Sequence, residues 1–288
     1  MNPAKIRVTD FDLRYTIESG QPLTFFSDYD PKKNRLIYPT ASHLLDIKFT
    51  GTSENGNLLV KGSSPAYAKR ELTKRLRLND DMKDIYSRIS TDEFMANAIK
   101  KYYGMRLTIN DPWETTLCFI ISQYNNLKRI RGSTRKIVDL FGTEIKDDEG
   151  KVVGKRFPTS EQMMHITEKQ LMECGTGFRA RYIRNASEYC TNNLDLHKLQ
   201  NKSYPKIKEE LLEIAGVGDK VADCIALMGF GCLEAFPIDV WVKRTIERIY
   251  FKGKEKKIKD IHRFANERFQ NLGGYAQQYI FWHGMHYE

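Results

Sequence analysis

Apolar residues recur at every second position in two early stretches of this chain and at helical spacing through most of its remaining length. That order confines the fold to a sheet unit followed by a helical one. In FDLRYTI, residues Phe11, Leu13, Tyr15 and Ile17 alternate, the period of a half-buried strand. LLDIKFTGTSENGNLLVKG repeats the pattern with Leu45, Ile47 and Phe49, then Leu58 and Val60. The Asn55-Gly56 pair between them is a hairpin signal. From SPAYAKRELTKRLRL onward the spacing turns helical, and DPWETTLCFIISQYNNLKRIRGSTRKIVDLFG spells two helices. The first contains the unbroken apolar run from Leu117 to Ile121, so it is expected to be buried on all sides. Thr159 or Ser160 can cap a helix at EQMMHI, and short helices joined by glycine and polar loops continue to the end. The expectation is an α+β fold, with an N-terminal antiparallel β-sheet domain with helices over residues 1–105 and an all-helical domain over 106–288.

At 288 residues, 41% hydrophobic and 11% aromatic, the chain can bury a substantial core. No run of about 18 apolar residues exists, which argues against a membrane span. The opening MNPAKIRVTDFDLRYTIESG lacks the layout of a secretion signal, so an intracellular protein without membrane partners is expected. Cys118, Cys174, Cys190, Cys224 and Cys232 form an odd set with no C-x-x-C pair, which indicates neither a disulfide framework nor a metal or iron–sulfur site. With 46 basic against 37 acidic residues, the net charge of +9 favours an acidic partner such as nucleic acid.

Residues 211–230, LLEIAGVGDKVADCIALMGF, place Gly216-Val217-Gly218 between two helical patterns, over about 203–229. Glycines one residue apart let the backbone turn tightly and leave amides uncovered, and Asp219 can cap the helix after them. Uncovered amides at a helix start make an anion site that grips a DNA backbone without reading sequence. A plain turn is the alternative. Lys220 shares a face with Cys224 and Leu227, with Met228 at its edge. Among such neighbours, desolvation and the hairpin dipoles would favour the neutral, nucleophilic amine that imine chemistry requires. A stem covering apolar surface, with its head in solvent, is the alternative. In AFPIDVWVKRTIERIY, Asp239 opens a helix, where it is expected to stay ionised, or merely to cap. Together the two groups suit cleavage of an N-glycosidic bond: the carboxylate stabilises a sugar cation and the amine captures C1′.

The same two segments resemble the helix-hairpin-helix, Gly/Pro-rich loop, aspartate signature of DNA base-excision glycosylases, specifically the 8-oxoguanine DNA glycosylase/AP-lyase branch. ESGQPLTFF, DPWETTLCFIISQYNNLKRIRG, CGTGFRARYI and YAQQYIF also look like segments of that family, in its order. The resemblance implies a bifunctional glycosylase and lyase with Lys220 as nucleophile and Asp239 as the catalytic carboxylate. It implies a damaged base flipped out of the duplex and sandwiched by Phe281 and Cys224, with Met228 lining the pocket and Gln277 bonding the pairing edge. The Gly20 carbonyl would accept from the N7 hydrogen that 8-oxoguanine has and guanine lacks.

By the same resemblance Tyr124 and Asn125 belong to the segment that fills the hole left by the base. Arg129 and Arg179 match arginines that contact the orphaned cytosine, Phe178 an aromatic wedge, and Gly216 and Gly218 the phosphate-holding hairpin. Tyr124 stands where the family commonly has asparagine, and Trp241 where a histidine often comes after the aspartate. The implied partner is double-stranded DNA holding oxidised guanine, met by a monomer in the nucleoid of a prokaryote or the nucleus of a eukaryote. This mechanism requires no cofactor and no metal. A glycosylase for another damaged base, or a non-catalytic helix-hairpin-helix DNA-binding protein, are the competing readings.

Overall fold

The computed structural model describes residues 3–286. Strand β1 (Ala4–Val8) is followed by helices α1 (Leu13–Glu18) and α2 (Leu23–Phe26), then by β2 (Asp28–Asp30), β3 (Arg35–Pro39), β4 (Leu44–Gly51) and β5 (Gly56–Lys61). The strands form one antiparallel sheet in the order β1-β5-β4-β3-β2. As expected, β4 and β5 make a hairpin, with Phe49 opposite Leu58 and Ile47 opposite Val60. All four are buried, because side chains two apart on a strand share a face.

FDLRYTI is not a strand. Asp12 accepts the Tyr15 amide at 2.9 Å and starts α1. Leu13 and Ile17 satisfy a four-residue repeat as well as a two-residue one, and the cap selects the helix.

Helices α3 (Pro65–Arg75), α4 (Met82–Ile89) and α5 (Glu93–Lys101) complete the first part. Two helices come next: α6 (Pro112–Ser122), buried along nearly its whole length, and α7 (Leu127–Phe141). A second sheet of two strands, β6 (Thr143–Lys146) and β7 (Val152–Arg156), interrupts the part expected to be all helical. Its turn is made by Asp147, whose carboxylate accepts the Glu149 and Lys151 amides.

Helices α8 (Ser160–Met164), capped by Thr159, α9 (Glu168–Glu173) and α10 (Arg179–Asn192) lead to α11 (Tyr204–Leu212) and α12 (Asp219–Ile225). The chain closes with α13 (Val240–Tyr250), α14 (Ile258–Phe269) and α15 (Gly273–Met285). Among the described residues no helix is long and apolar enough to cross a membrane.

Buried polar groups tie the two parts together at the place where Gly20 sits. The Gln21 amide donates to the Arg106 carbonyl at 2.8 Å and accepts the Thr108 amide at 2.7 Å. The Arg106 guanidinium in turn reaches the Thr9, Asp10, Arg77 and Asp80 carbonyls. Such buried, bonded donors resist displacement, because each lost bond would strand a desolvated group.

Candidate active site

Between α11 and α12 the chain turns through Gly216, whose φ is +88°. A β-carbon there would lie 2.7 Å from Cγ of Tyr182, so both the backbone angle and the packing require glycine. Gly218 differs: its backbone is extended, it is exposed, and a β-carbon would meet nothing within 4 Å. Internal packing therefore does not explain Gly218, whereas close approach of an outside group would. Gly218 also holds the cap position of α12. Asp219, expected as the cap, is the first helical residue and pairs with Lys208 at 3.3 Å.

Lys220 lies in the first turn of α12, partly buried, with Nζ 5.3 Å from the centre of the Phe119 ring of α6. Its charge also acts on the Cys224 thiol one helical turn on. Burial pushes that thiol up to about 11, with Lys220 opposing the shift. Cys224 is thus a neutral, apolar wall beside the amine. After Ile225 the helix widens into a π turn over 226–230, which carries Met228. The carbonyl of Met228 accepts the Asn110 amide at 2.7 Å.

Asp239 caps α13, accepting the Val242 amide at 2.8 Å. Burial raises its carboxyl above the ordinary value, while the Val242 amide, the Lys220 charge and the Trp241 amide oppose that shift. The expectation of a simply ionised cap is thereby modified: desolvation outweighs the amine and the two amides that favour the charged form. Val240 and Trp241, just beyond it, are both exposed.

Gly20 (φ +78°) faces Phe281 of α15, and a β-carbon on Gly20 would lie 3.5 Å from that ring. Gln277, one turn before Phe281, is 6% exposed, and its side-chain oxygen finds no hydrogen-bond partner among the described residues. A buried acceptor left unpaired calls for a donor from outside. Next to it, Gln278 donates to the Ser19 carbonyl at 2.8 Å and so fixes α15 against the Gly20 turn. Sequence reading did not find Phe119, Ser19 or Gln278. Each acts through a contact with a distant element that local patterning does not carry.

Tyr124 is 95% exposed in a left-handed backbone conformation (φ +47°). Its loop is held from below by Arg179, which is 5% exposed and whose guanidinium donates to the Gln123, Tyr124 and Thr176 carbonyls. Phe178 stays exposed, with the Arg179 guanidinium 4.4 Å from its ring centre. Arg179 therefore spends its donors on the loop, whereas Arg129 is exposed. Asn125 is half-buried and donates to the Ile121 carbonyl at 3.0 Å.

A surface concavity of about 480 Å³ lies between β3, α7 and β7 and holds none of these residues. Among the described residues no group of three or more His, Cys, Asp or Glu could hold a metal ion.

Residues 117–271 match the family model described as HhH-GPD superfamily base excision DNA repair protein, and residues 4–116 match that of the 8-oxoguanine DNA glycosylase N-terminal domain. A probable N-glycosylase/DNA lyase of Methanothermobacter thermautotrophicus is 30% identical, over 97% of this chain and 95% of the relative. A solved structure of MBOgg1 with a low-affinity DNA ligand is 30% identical with a TM-score of 0.87, covering 99% of this chain and 97% of the other. The Clostridium acetobutylicum 8-oxoguanine glycosylase/lyase, solved with duplex DNA containing cytosine opposite 8-oxoG, is 27% identical with a TM-score of 0.87, covering 98% of this chain and 96% of the other.

Proposed function

Since the chain belongs to the HhH-GPD superfamily of base excision DNA repair proteins, in its 8-oxoguanine DNA glycosylase/lyase branch, we propose that it excises 8-oxoguanine from duplex DNA and then cleaves the strand. The observation that carries this reading is the pairing of Lys220 and Asp239. An amine in the first turn behind a glycine hairpin lies over the Phe119 ring, and its charge acts on the buried carboxylate that caps α13.

In this reading the C1′–N9 bond breaks with its electron pair leaving on the base, which takes up a proton. Asp239 stabilises the sugar cation, where a fixed charge in a desolvated site acts most strongly. The Lys220 amine forms the new bond to C1′, and loss of its protons and opening of the sugar ring give the imine. The imine acidifies C2′, so removal of a C2′ proton expels the 3′ phosphate.

Phe281 and Cys224 would face the two sides of the flipped base, with Met228 beside it. Gln277, with its unpaired buried oxygen, would bond the pairing edge. The Gly20 carbonyl would accept the N7 hydrogen. Gly216 and Gly218 would hold the backbone, and Tyr124, Asn125, Arg129 and Phe178 the strand with the orphaned cytosine. Arg179 would then act by shaping the Tyr124 loop. We place the domain junction near residue 105. The two family models meet between residues 116 and 117, inside α6, and a junction in the connection before that helix is the physically sounder one. A monomer acting wherever the cell keeps its DNA completes the reading.

Borohydride trapping tests it, with a duplex holding 8-oxoguanine opposite cytosine, an undamaged duplex alongside, and Lys220→Gln for comparison. An adduct specific to the damaged duplex and absent from the variant supports the reading. Binding without an adduct leaves another lesion or a non-catalytic DNA-binding protein.

A further inference from the structure

Behind the hairpin, between α11 and α12, lies a buried polar cluster that the chemistry above does not use. Asp223 is 1% exposed. Its Oδ1 accepts the Tyr204 hydroxyl at 2.6 Å and lies 2.7 Å from Nζ of Lys208. Lys208 also lies 3.3 Å from Asp219. His262 of α14 faces the other carboxylate oxygen at 3.9 Å, and that oxygen makes no hydrogen bond among the described residues.

Tyr204 and Lys208 are one turn apart on α11, as Asp219 and Asp223 are on α12, so each pair forms a row facing the other helix. Lys220 and Cys224 form the adjacent row, about 100° further round α12. Because the two rows belong to one helix, a rotation of α12 that re-aims Lys220 also displaces Asp223 against Tyr204 and Lys208.

A buried ion pair is a poor source of net stability compared with an apolar pair of the same size, and its best-attested use is to fix register. Here the register it fixes is that of the helix carrying the nucleophile. We propose that Asp223 is a positioning residue for the glycosylase/lyase reaction, setting the rotation of α12, and hence the aim of Lys220, through Tyr204 and Lys208. This rests on the reading of Lys220 as the nucleophile.

The leverage is substantial. With side chains reaching about 5–6 Å from a helix axis, a turn of about 15° moves a side-chain tip by about 1.5 Å, and a misplacement of about 1 Å can cost about 10²-fold in rate. Asp223→Asn keeps the shape and an acceptor for Tyr204 but removes the charge that binds Lys208, while Lys208 retains Asp219.

The test compares native protein, Asp223→Asn and Tyr204→Phe in single-turnover formation of the borohydride-trapped adduct with the 8-oxoguanine duplex. Affinity is measured separately on a duplex holding an uncleavable tetrahydrofuran abasic site, and folding by thermal denaturation. The expected result is a trapping rate lowered about tenfold or more in Asp223→Asn and about threefold in Tyr204→Phe, with duplex affinity within about twofold of native. An Asp223→Asn protein that folds and traps within about twofold of the native rate overturns the inference, as does a rate loss matched by an equal loss of affinity. Should Asp223→Asn fail to fold, an unchanged trapping rate in Tyr204→Phe overturns it. A native protein that gives no adduct overturns the glycosylase/lyase reading and the inference with it. Native trapping with unaffected variants overturns the inference alone.

Discussion

Gly20 and Phe281, from opposite ends of the chain, face one another so closely that a β-carbon on the glycine would lie 3.5 Å from the ring and 3.2 Å from Cδ2 of Leu127. The lesion-reading carbonyl of the proposed mechanism and the ring that would stack on the base are therefore set by one contact. Gly20→Ala must adopt φ +78° with a β-carbon, at a cost of about 1–2 kcal/mol, and must push Leu127 aside. Thermal denaturation should register that loss. Excision of 8-oxoguanine should fall by a larger factor than affinity for undamaged DNA, measured in parallel.

Asp239 should trade stability for activity. Its folded-state pKa lies above the ordinary carboxylate value because of burial. Between the unfolded and folded values the native state binds more protons than the unfolded one, so stability falls as pH rises through that window, and the penalty is complete above it. Asp239→Asn keeps a capping side chain of equal quality and removes the penalty. At pH 7 the variant should melt higher than the native protein, with the gain vanishing below the ordinary carboxylate range. Its single-turnover excision should fall by about 10²–10³. A lower melting temperature at pH 7 would contradict the desolvation argument.

The two hairpin glycines should separate stability from binding. Gly216→Ala meets the Tyr182 ring and a positive φ, and a loss of about 2 kcal/mol or more is expected on denaturant unfolding. Gly218→Ala points into open space, and a change within about 1 kcal/mol is expected. Its affinity for damaged and undamaged duplexes alike should drop about tenfold if phosphate approaches that amide.

Tyr124 carries strain that a different residue would relieve. Its left-handed conformation (φ +47°) favours asparagine over an aromatic residue by about 1 kcal/mol. Tyr124→Asn should therefore raise the melting temperature. Arg179→Met, which strands the Gln123 and Tyr124 carbonyls, should lower stability by about 2–3 kcal/mol and expose the loop to limited proteolysis. If Tyr124→Asn instead loses stability, the exposed ring must be held by contacts the strain argument omits.

Much of the fold is legible in local stretches of residues. The β4–β5 hairpin comes from alternation around Asn55-Gly56, and the caps of α8 and α13 from Thr159 and Asp239. These features are decided within a few residues, by side chains bonding nearby amides and by glycine's freedom at a turn. Where one short pattern serves two structures, local reading fails. Phe11 to Ile17 fits both periods, and the Asp12 cap makes it a helix. The β6–β7 hairpin, with modestly buried strands, carries too little apolar contrast to be seen.

The sequence by itself determined the chemistry on offer: a lysine behind a glycine hairpin, and an aspartate at a helix start. Only tertiary structure decided what those groups meet. It set Phe119 beneath Lys220, Gly20 against Phe281, Arg179 inward on the Tyr124 loop, and Asp223 between Tyr204 and Lys208. Such pairings depend on how whole helices pack, a long-range, collective outcome that no single stretch of residues encodes.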